Sequence, residues 1–457
     1  MRRRGNHGGQ DGSGSDPSDA GKSGTGGTPA QTAMETQAAE KKWRKFRTRG
    51  LAGLAMVFLI NFIIYSGHGW VIATIMLIQV QVFREMLMVR YDKYKEEQEK
   101  KVPLFRTLMW CWFFAAMYWS YGRPIIRMLV LGHKLPYGGT EQEALRLHEW
   151  TSFGLYSLVF VLTVATMRKG AVRYQIGQVS WTVVTLCMVV LQTDSITTNV
   201  FRGLFWFVFP AALVVTNDVF AYFSGFCFAR RFTNRPFLPF ISPNKTWEGF
   251  IGGFICTAIF GFFTPLLTQF EWAQWLVCPA TPASGVTSLG AMFRPSPLHA
   301  HGTLSCAMPA VFTFRTYTIS VPDVFGMLGP SDDGSLVELA TVQLLPMQVH
   351  GVLLATFASL VAPWGGFFAS AIKRAFGKKD FDSIIPGHGG LTDRMDCQFI
   401  MALAAHVHYN YFVAKINGEP LLLTVSELLQ SARMLTVAQQ RDLHSQLGAM
   451  LAGGVGN

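Results

Sequence analysis

Between Ser370 and Asp396 the chain sets Lys373, Arg374, Lys378, Lys379 and Arg394 among Asp380, Asp382, Asp393 and Asp396. Basic side chains suit phosphate oxygens, and spaced carboxylates suit a hard divalent cation such as Mg2+. The segment Pro386-Gly387-His388-Gly389-Gly390 is a poor helix former and reads as a tight loop with backbone amides turned to an anion. His388 in that loop is a better phosphate donor than base. Thr392 is placed to cap the helix that follows, which sets Asp393 and Asp396 three residues apart on one face. Two carboxylates so spaced share one metal or hold two side by side. The lysines alone read equally well as charges that fix membrane topology. Aspartates flanking Arg394 beside a glycine loop do not. The chemistry implied is metal-assisted phosphoryl or nucleotidyl transfer at a membrane surface.

Two further groups belong with this one. Asp218 lies in an apolar run, with Tyr222 and Gly225 at i+4 and i+7, and an ionisable residue inside a membrane segment is functional by default. Ser242, Asn244, Lys245 and Thr246 immediately precede a glycine-containing apolar helix, so a helix amino terminus points at whatever they bind. That is a phosphate site in character, although Ser242 and Thr246 also serve as ordinary helix caps. His406 and His408 fall on different helix faces and read as packing residues.

What positions these residues is a membrane bundle. Of 457 residues half are hydrophobic and 15% charged, with 37 Phe and 12 Trp, against about a quarter charged in a soluble domain. The net charge of +11 sits in short clusters beside apolar runs, which fits topology and anionic lipid and excludes nucleic acid as a partner. Residues 1–40 read as a disordered polar tail, followed by a basic collar at 41–49. Apolar runs at 51–66, 69–88, 104–121, 149–166, 176–193, 200–228, 248–268, 348–371 and 397–414 predict an all-α polytopic membrane protein of about nine spans. The first run comes too late for a cleavable signal and reads as a retained anchor. Residues 41–199 form the amino-terminal spans and 200–415 the catalytic region, with an insertion at 271–345. A helical tail at 416–457 starts on a capping box at Thr436 and Gln439 and carries Leu443, Leu447 and Leu451 as a stripe.

The collar and the basic loops at 89–103, 167–175, 229–247 and 372–396 belong on one side, the cytosol. The loop at 194–199 and the sparsely basic insertion belong on the other. The loop at 122–148, with Arg123, Arg127, Lys134 and Arg146, dissents. Asp218, Lys245 and Asp393 are then expected to converge on a pocket open to the cytosol and to lipid. Cys278 and Cys306 share the insertion and can pair in an oxidising lumen. The other five cysteines read as small apolar residues.

The motif as a whole resembles the signature of the phosphatidate cytidylyltransferase, or CDP-diacylglycerol synthase, family. It runs through Ser370, Ile372, Lys373-Arg374, Lys379-Asp380, Pro386, His388-Gly389-Gly390, Leu391, Asp393-Arg394, Met395 and Asp396. Asn217-Asp218, Ala221-Tyr222, Gly225 and the stretch Ser242–Gly249 resemble its eukaryotic members, and the likeness covers roughly 200–415. Asp382 departs from it, standing where a small residue is usual. The resemblance implies transfer of CMP from CTP to phosphatidate, giving CDP-diacylglycerol and pyrophosphate at the endoplasmic reticulum. It implies two Mg2+ ions on Asp380, Asp393 and Asp396, completed by Asp218, and phosphate contacts from Lys245, Lys373, Arg374, Lys379 and Arg394. Ser370, the first residue of the signature, joins the substrate-binding set. CTP, phosphatidate and membrane lipid are the implied partners, and a homodimer is allowed. A CTP-dependent polyprenol kinase and, less well, a transporter using Asp218 are the competing readings. The Asp-Gly-x-x-Ala-Arg signature of CDP-alcohol phosphotransferases is absent.

Overall fold

A chain in hydrocarbon has no water to satisfy its amides and carbonyls, so apolar segments close their hydrogen bonds internally as helices. The computed structural model describes residues 29–90, 105–131, 141–228, 236–238, 242–280, 289–295, 306–322, 336–382, 384, 389–418, 432 and 435–453, and within them each of the apolar runs is helical. The first six helices are α1 Pro29–Ser66, α2 His68–Val89, α3 Phe105–Leu131, α4 Glu141–Ala165, α5 Val172–Phe201 and α6 Phe205–Phe228. A short hairpin of β1 Pro236–Leu238 and β2 Ser242–Thr246 leads into α7 Trp247–Phe263, prolonged by a 3-10 turn to Gln269. The insertion holds the single turns α8 Glu271–Gln274 and α9 Leu289–Met292, then an antiparallel hairpin of β3 Arg315–Pro322 and β4 Leu336–Leu344. The chain closes with α10 Pro346–Leu360, α11 Pro363–Ala375, α12 Thr392–His408 and α13 Val437–Gly453. A π turn at Tyr409–Val413 and a last turn at Ala414–Ile416 prolong α12.

Among the described residues, five helical stretches are long and apolar enough to cross a membrane: His68–Val89, Val172–Phe201, Phe205–Phe228, Trp247–Gln269 and Pro346–Ala375. Large apolar side chains such as Phe58, Leu77, Trp150, Tyr222 and Phe226 stand outward around the bundle. So broad an apolar exterior is a lipid-facing surface.

Several expectations are corrected. The loop expected at 194–199 is helix: α5 runs through a π turn at Cys187–Leu191 as far as Phe201. Its polar residues turn inward instead, burying Ser195, Thr197 and Asn199, and Asn199 Nδ2 donates to Ala402 O at 3.1 Å. The break falls at 202–204, where Gly203 has a φ of 131° and leaves no room for a side chain against Val277 O. The expected tail at 1–40 is shortened, since α1 begins at Pro29, where the last early glycine has passed and Ala, Met, Gln and Glu favour helix. Residues 1–28 lie outside the described residues. The run at 348–371 is split by Pro363, which has no N–H to continue α10. The two hairpins add strand to a chain expected to be all helix; alternating Thr-Tyr-Thr-Ile-Ser-Val in β3 is the pattern that carries one of them. The capping box at Thr436 and Gln439 is present, with both reciprocal bonds made.

The helices alternate in direction. At one end the carboxyl end of α2 meets α5 and the loop after α11, through Arg90 Nη1 to Gly177 O at 2.6 Å, Trp181 Nε1 to Met86 O at 3.0 Å and Lys378 Nζ to Met88 O at 2.9 Å. At the other end the insertion gathers the opposite termini. Trp70 Nε1 donates to Phe293 O, the Phe205 amide to Leu276 O, the Ala280 amide to Phe201 O and the Val311 amide to Asn417 Oδ1. The insertion is closed by a Cys278–Cys306 disulfide with Cα atoms 5.6 Å apart, as the shared segment allowed. α3 and α4 pair antiparallel through Trp112–Thr163, Tyr118–Thr151 and Arg123–Glu149.

Helices α7 and α10 cross where Gly261 meets Gly351, and a methyl group on either would strike the other's carbonyl oxygen. Overpacking such a contact costs about 1–3 kcal/mol. Gly351→Val is therefore expected to lower the thermal midpoint of the detergent-purified protein. Gly154→Ala, where nothing lies within 4 Å, should leave it in place. Equal midpoints for all three proteins would mean that α7 and α10 slide apart freely.

Candidate active site

The polar end of the bundle is built around the end of α11. This helix closes at Gly377, whose φ of 65° lets the Gly377 and Lys378 amides reach back to Arg374 O and Lys373 O. Ser370, Lys373 and Arg374 thus lie on its last turns. Lys373 Nζ reaches Asp393 Oδ1 at 2.5 Å, with the two side chains only 12% and 8% exposed. The other oxygen, Oδ2, accepts the amides of Phe381 at 3.2 Å and Gly390 at 3.1 Å. Asp393 thereby ties α11, the loop after it and the start of α12 together.

Thr392 is not the cap expected for α12. It is the first helical residue, and the cap comes from Glu85 on α2. Glu85 is 1% exposed, and its two oxygens accept the Leu391 and Thr392 amides, each at 2.8 Å. Gly390 is required beside it, because a methyl there would meet Glu85 Oε2 at 2.7 Å and the Asp382 amide nitrogen at 2.9 Å. Of the 386–390 amides expected to face an anionic ligand, that of Gly390 is taken by Asp393, and residues 386–388 lie outside the described residues. Sequence reasoning passed over Glu85 as one charge within the run 69–88. The signal was available, since it is an acidic residue in an apolar segment, the criterion that singled out Asp218.

A second cluster forms where α6, α7 and α12 meet. Helices α6 and α7 approach closely through small residues: a methyl at Gly249 would meet Ala221 O at 2.7 Å, and one at Gly253 would meet Asn217 Oδ1 at 3.0 Å. Thr246 caps α7, its hydroxyl accepting the Gly249 amide at 3.2 Å. Lys245 Nζ stands 4.6 Å over the Phe367 ring of α11. Gly365 and Gly366 admit α12 against α11, with Asp396 O 2.5 Å from a methyl placed at Gly365. Asp218 is exposed on this surface and interacts electrostatically with Lys245 and Arg394. It also repels Asp396, whose Oδ1 accepts the Cys397 amide at 2.7 Å. Asp218 of α6, Lys245 of β2, and Arg394 and Asp396 of α12 therefore come together. Tyr222 does not join them. It is 78% exposed on the outer surface, whereas Gly225 packs by Thr246.

The remaining expected residues lie around these clusters. Lys379 and Asp380 are exposed on the loop, with Asp380 Oδ1 3.5 Å from a methyl placed at Gly389. Arg374 Nη1 donates to Lys378 O, and Ser370 is half-buried on α11. His388 lies outside the described residues, as do the side chains of Ser242 and Asn244. His408 pairs with His350 at 3.1 Å and His406 with Asn410 at 2.9 Å, far along α12, in packing roles as expected. Of the four carboxylates expected to share metal, Asp393 pairs with Lys373 and has Asp380 close by, while Asp218 and Asp396 interact electrostatically. Among the described residues no three His, Cys, Asp or Glu side chains gather closely enough to hold an ion unaided.

Comparison with known proteins gives the class to which this arrangement belongs. The model of the cytidylyltransferase family matches residues 47–412, so the likeness reaches well beyond 200–415 into the amino-terminal helices. The chain is 38% identical over 397 residues to a probable phosphatidate cytidylyltransferase of Dictyostelium discoideum, covering 86% of this chain and 75% of that protein. It is 35% identical to phosphatidate cytidylyltransferase 1 of Homo sapiens, covering 86% and 76%. To phosphatidate cytidylyltransferase 1 of Arabidopsis thaliana it is 33% identical, covering 85% and 83%. The chain belongs to the cytidylyltransferase family. It is a nucleotidyltransferase.

The two aspartates on α12 should respond differently to the same change. Asp393→Asn leaves the buried Lys373 ammonium unpaired, a loss of about 3–5 kcal/mol. Asp396→Asn removes a repulsion with Asp218 and should keep or raise stability while turnover falls at least about tenfold, ~1.4 kcal/mol in the barrier. Thermal midpoints and turnover of the two variants decide this. Equal destabilisation by both would refute the assignment.

Proposed function

We propose that the protein transfers CMP from CTP to phosphatidate, forming CDP-diacylglycerol and releasing pyrophosphate. The observation that carries this reading is the convergence of Asp218, Lys245, Arg394 and Asp396 at one end of an apolar bundle. A phosphate oxygen of the lipid attacks the α-phosphorus of CTP; a new P–O bond forms as the bond to the β-phosphate breaks. Both reactants are polyanions, so the obstacle is charge repulsion, and lowering it is electrostatic work. Lys245 and Arg394 flank the carboxylates and hold phosphate oxygens. Arg374 and Lys379, on the exposed loop side, receive the departing pyrophosphate. Lys373 acts indirectly, since its ammonium is engaged by Asp393.

Asp218 and Asp396, carboxylates near enough to repel each other, fit Mg2+, which binds through one or two carboxylates with substrate phosphates completing its shell. Bound there, the ion would neutralise charge on the phosphates and orient them in line. In this reading all of the helical runs expected as spans cross the membrane, about nine in number. The polar end faces the cytosol, where CTP is, and the disulfide-closed insertion faces the lumen of the endoplasmic reticulum. The alternation of helix direction supports it, because the described helix ends that flank the basic segments 89–103, 167–175, 229–247 and 372–396 lie at the polar end. Phosphatidate would present its headgroup from the side while its tails stay among the outward apolar residues.

Purified protein supplied with phosphatidate, Mg2+ and CTP labelled at either the α- or γ-phosphate tests the reading. The α-label should enter the lipid and the γ-label should leave as pyrophosphate. Entry of the γ-label would instead identify a lipid kinase, and full turnover in chelator would remove the metal. Lys245→Ala is expected to raise the KM for CTP by at least about tenfold, a charge-assisted phosphate contact of ~1.4 kcal/mol. An unchanged KM and kcat would make Lys245 a topology charge only.

A further inference from the structure

We propose that Glu85 is a positioning residue for nucleotide transfer, acting from α2 through the first turn of α12. The inference rests on the reading above and adds to it a role for an amino-terminal helix. Glu85 sits at the polar end of α2 among the inward apolar residues Val82, Met86 and Val89. Both of its oxygens are spent on α12, one on the Leu391 amide and one on the Thr392 amide. Three residues on, Met88 O takes the Lys378 ammonium, so the last turn of α2 holds both ends of the loop that carries Lys379 and Asp380.

Two effects follow. The first turn of α12 carries Asp393 and Arg394 and the next begins with Asp396, so its anchorage sets where a cationic and an anionic group meet the nucleotide. Free amides at a helix amino terminus are also an anion site. With Glu85 in place, the Leu391 and Thr392 amides are closed to a substrate phosphate. Among the described residues the triphosphate is thereby left to the side chains of Lys245 and Arg394, with Arg374 and Lys379 for its departing end. Glu85 touches no reacting atom in this arrangement; it acts through the helix it holds.

The test uses the full-length protein purified in detergent, as wild type, Glu85→Ala and Glu85→Gln. CTP is titrated at saturating phosphatidate and Mg2+, and amide hydrogen exchange is followed over 389–396 and, as a reference, over 205–213. Glu85→Ala should raise the KM for CTP about fivefold or more and lower kcat about tenfold or more. Glu85→Gln keeps one acceptor oxygen and should lie between. Exchange should quicken at 390–392 and stay unchanged over 205–213. A smaller folded fraction lowers the rate but cannot shift KM, which separates positioning from simple destabilisation. If Glu85→Ala fails to fold, Glu85→Gln carries the same readouts. If neither folds, Glu85 is a folding residue and the proposal falls. A KM within about twofold of wild type, with unaltered exchange at 390–392, overturns it while leaving the function standing. Wild-type protein that transfers no CMP removes the function and this proposal together.

Discussion

A buried ammonium facing a buried carboxylate, Lys373 against Asp393, is the contact on which the polar end of this molecule depends. Such a pair is not stabilising by default, because taking two charges out of water costs several kcal/mol that attraction recovers only with good geometry and further hydrogen bonds. Here the further bonds are present: the Phe381 and Gly390 amides occupy the second carboxylate oxygen. The pair therefore fixes three pieces of chain at once. The exposed Arg123–Glu149 pair has a comparably short contact, 2.6 Å, yet joins only two helices in solvent. A pair of that kind is worth about 1 kcal/mol or less.

Charged groups on different helices meet only if the helices come close, and in lipid there is little hydrophobic force between helices to bring them together. Small residues do this instead. Gly249 and Gly253 bring α7 onto α6, Gly365 and Gly366 bring α12 onto α11, and Gly261 and Gly351 bring α7 onto α10. The result carries Asp218, Lys245 and Asp396, which belong to three separate stretches of sequence, into electrostatic contact. Charge supplies the chemistry, and the absence of side chains at these positions supplies the proximity.

Much of this was legible in the sequence. Apolar runs specify helices because lipid leaves the backbone no other partner, and the charged residues that interrupt them mark the site. The capping box at Thr436 was readable from local spacing, while the shared insertion of Cys278 and Cys306 only left their pairing open. The failures have physical causes. The polar stretch 192–199 looks like a loop only if its side chains face water, whereas Ser195, Thr197 and Asn199 face other helices. Thr392 looks like a cap until a carboxylate from α2 takes the amides it would have served. Each miss is a long-range contact overriding a local rule.

These contacts also decide how phosphate would be held. The amino termini of α7 and α12 both arrive at the polar end, and unfilled helix amino termini would have made a rigid, backbone-built anion cradle. Neither is left unfilled. Thr246 caps α7 with its own hydroxyl, and Glu85 caps α12 with two bonds. The carboxylate also offsets the positive end of the α12 dipole. Among the described residues, what remains for a phosphate is the ammonium of Lys245 and the guanidinium of Arg394, with Arg374 and Lys379 on the exposed loop side. These are long, mobile cations rather than fixed amides. Such a site can follow a phosphate that must shift as one bond to phosphorus forms and another breaks, whereas a backbone cradle would favour the starting arrangement. Filling the helix ends with protein groups is thus consistent with a site built for transfer rather than for tight ground-state binding.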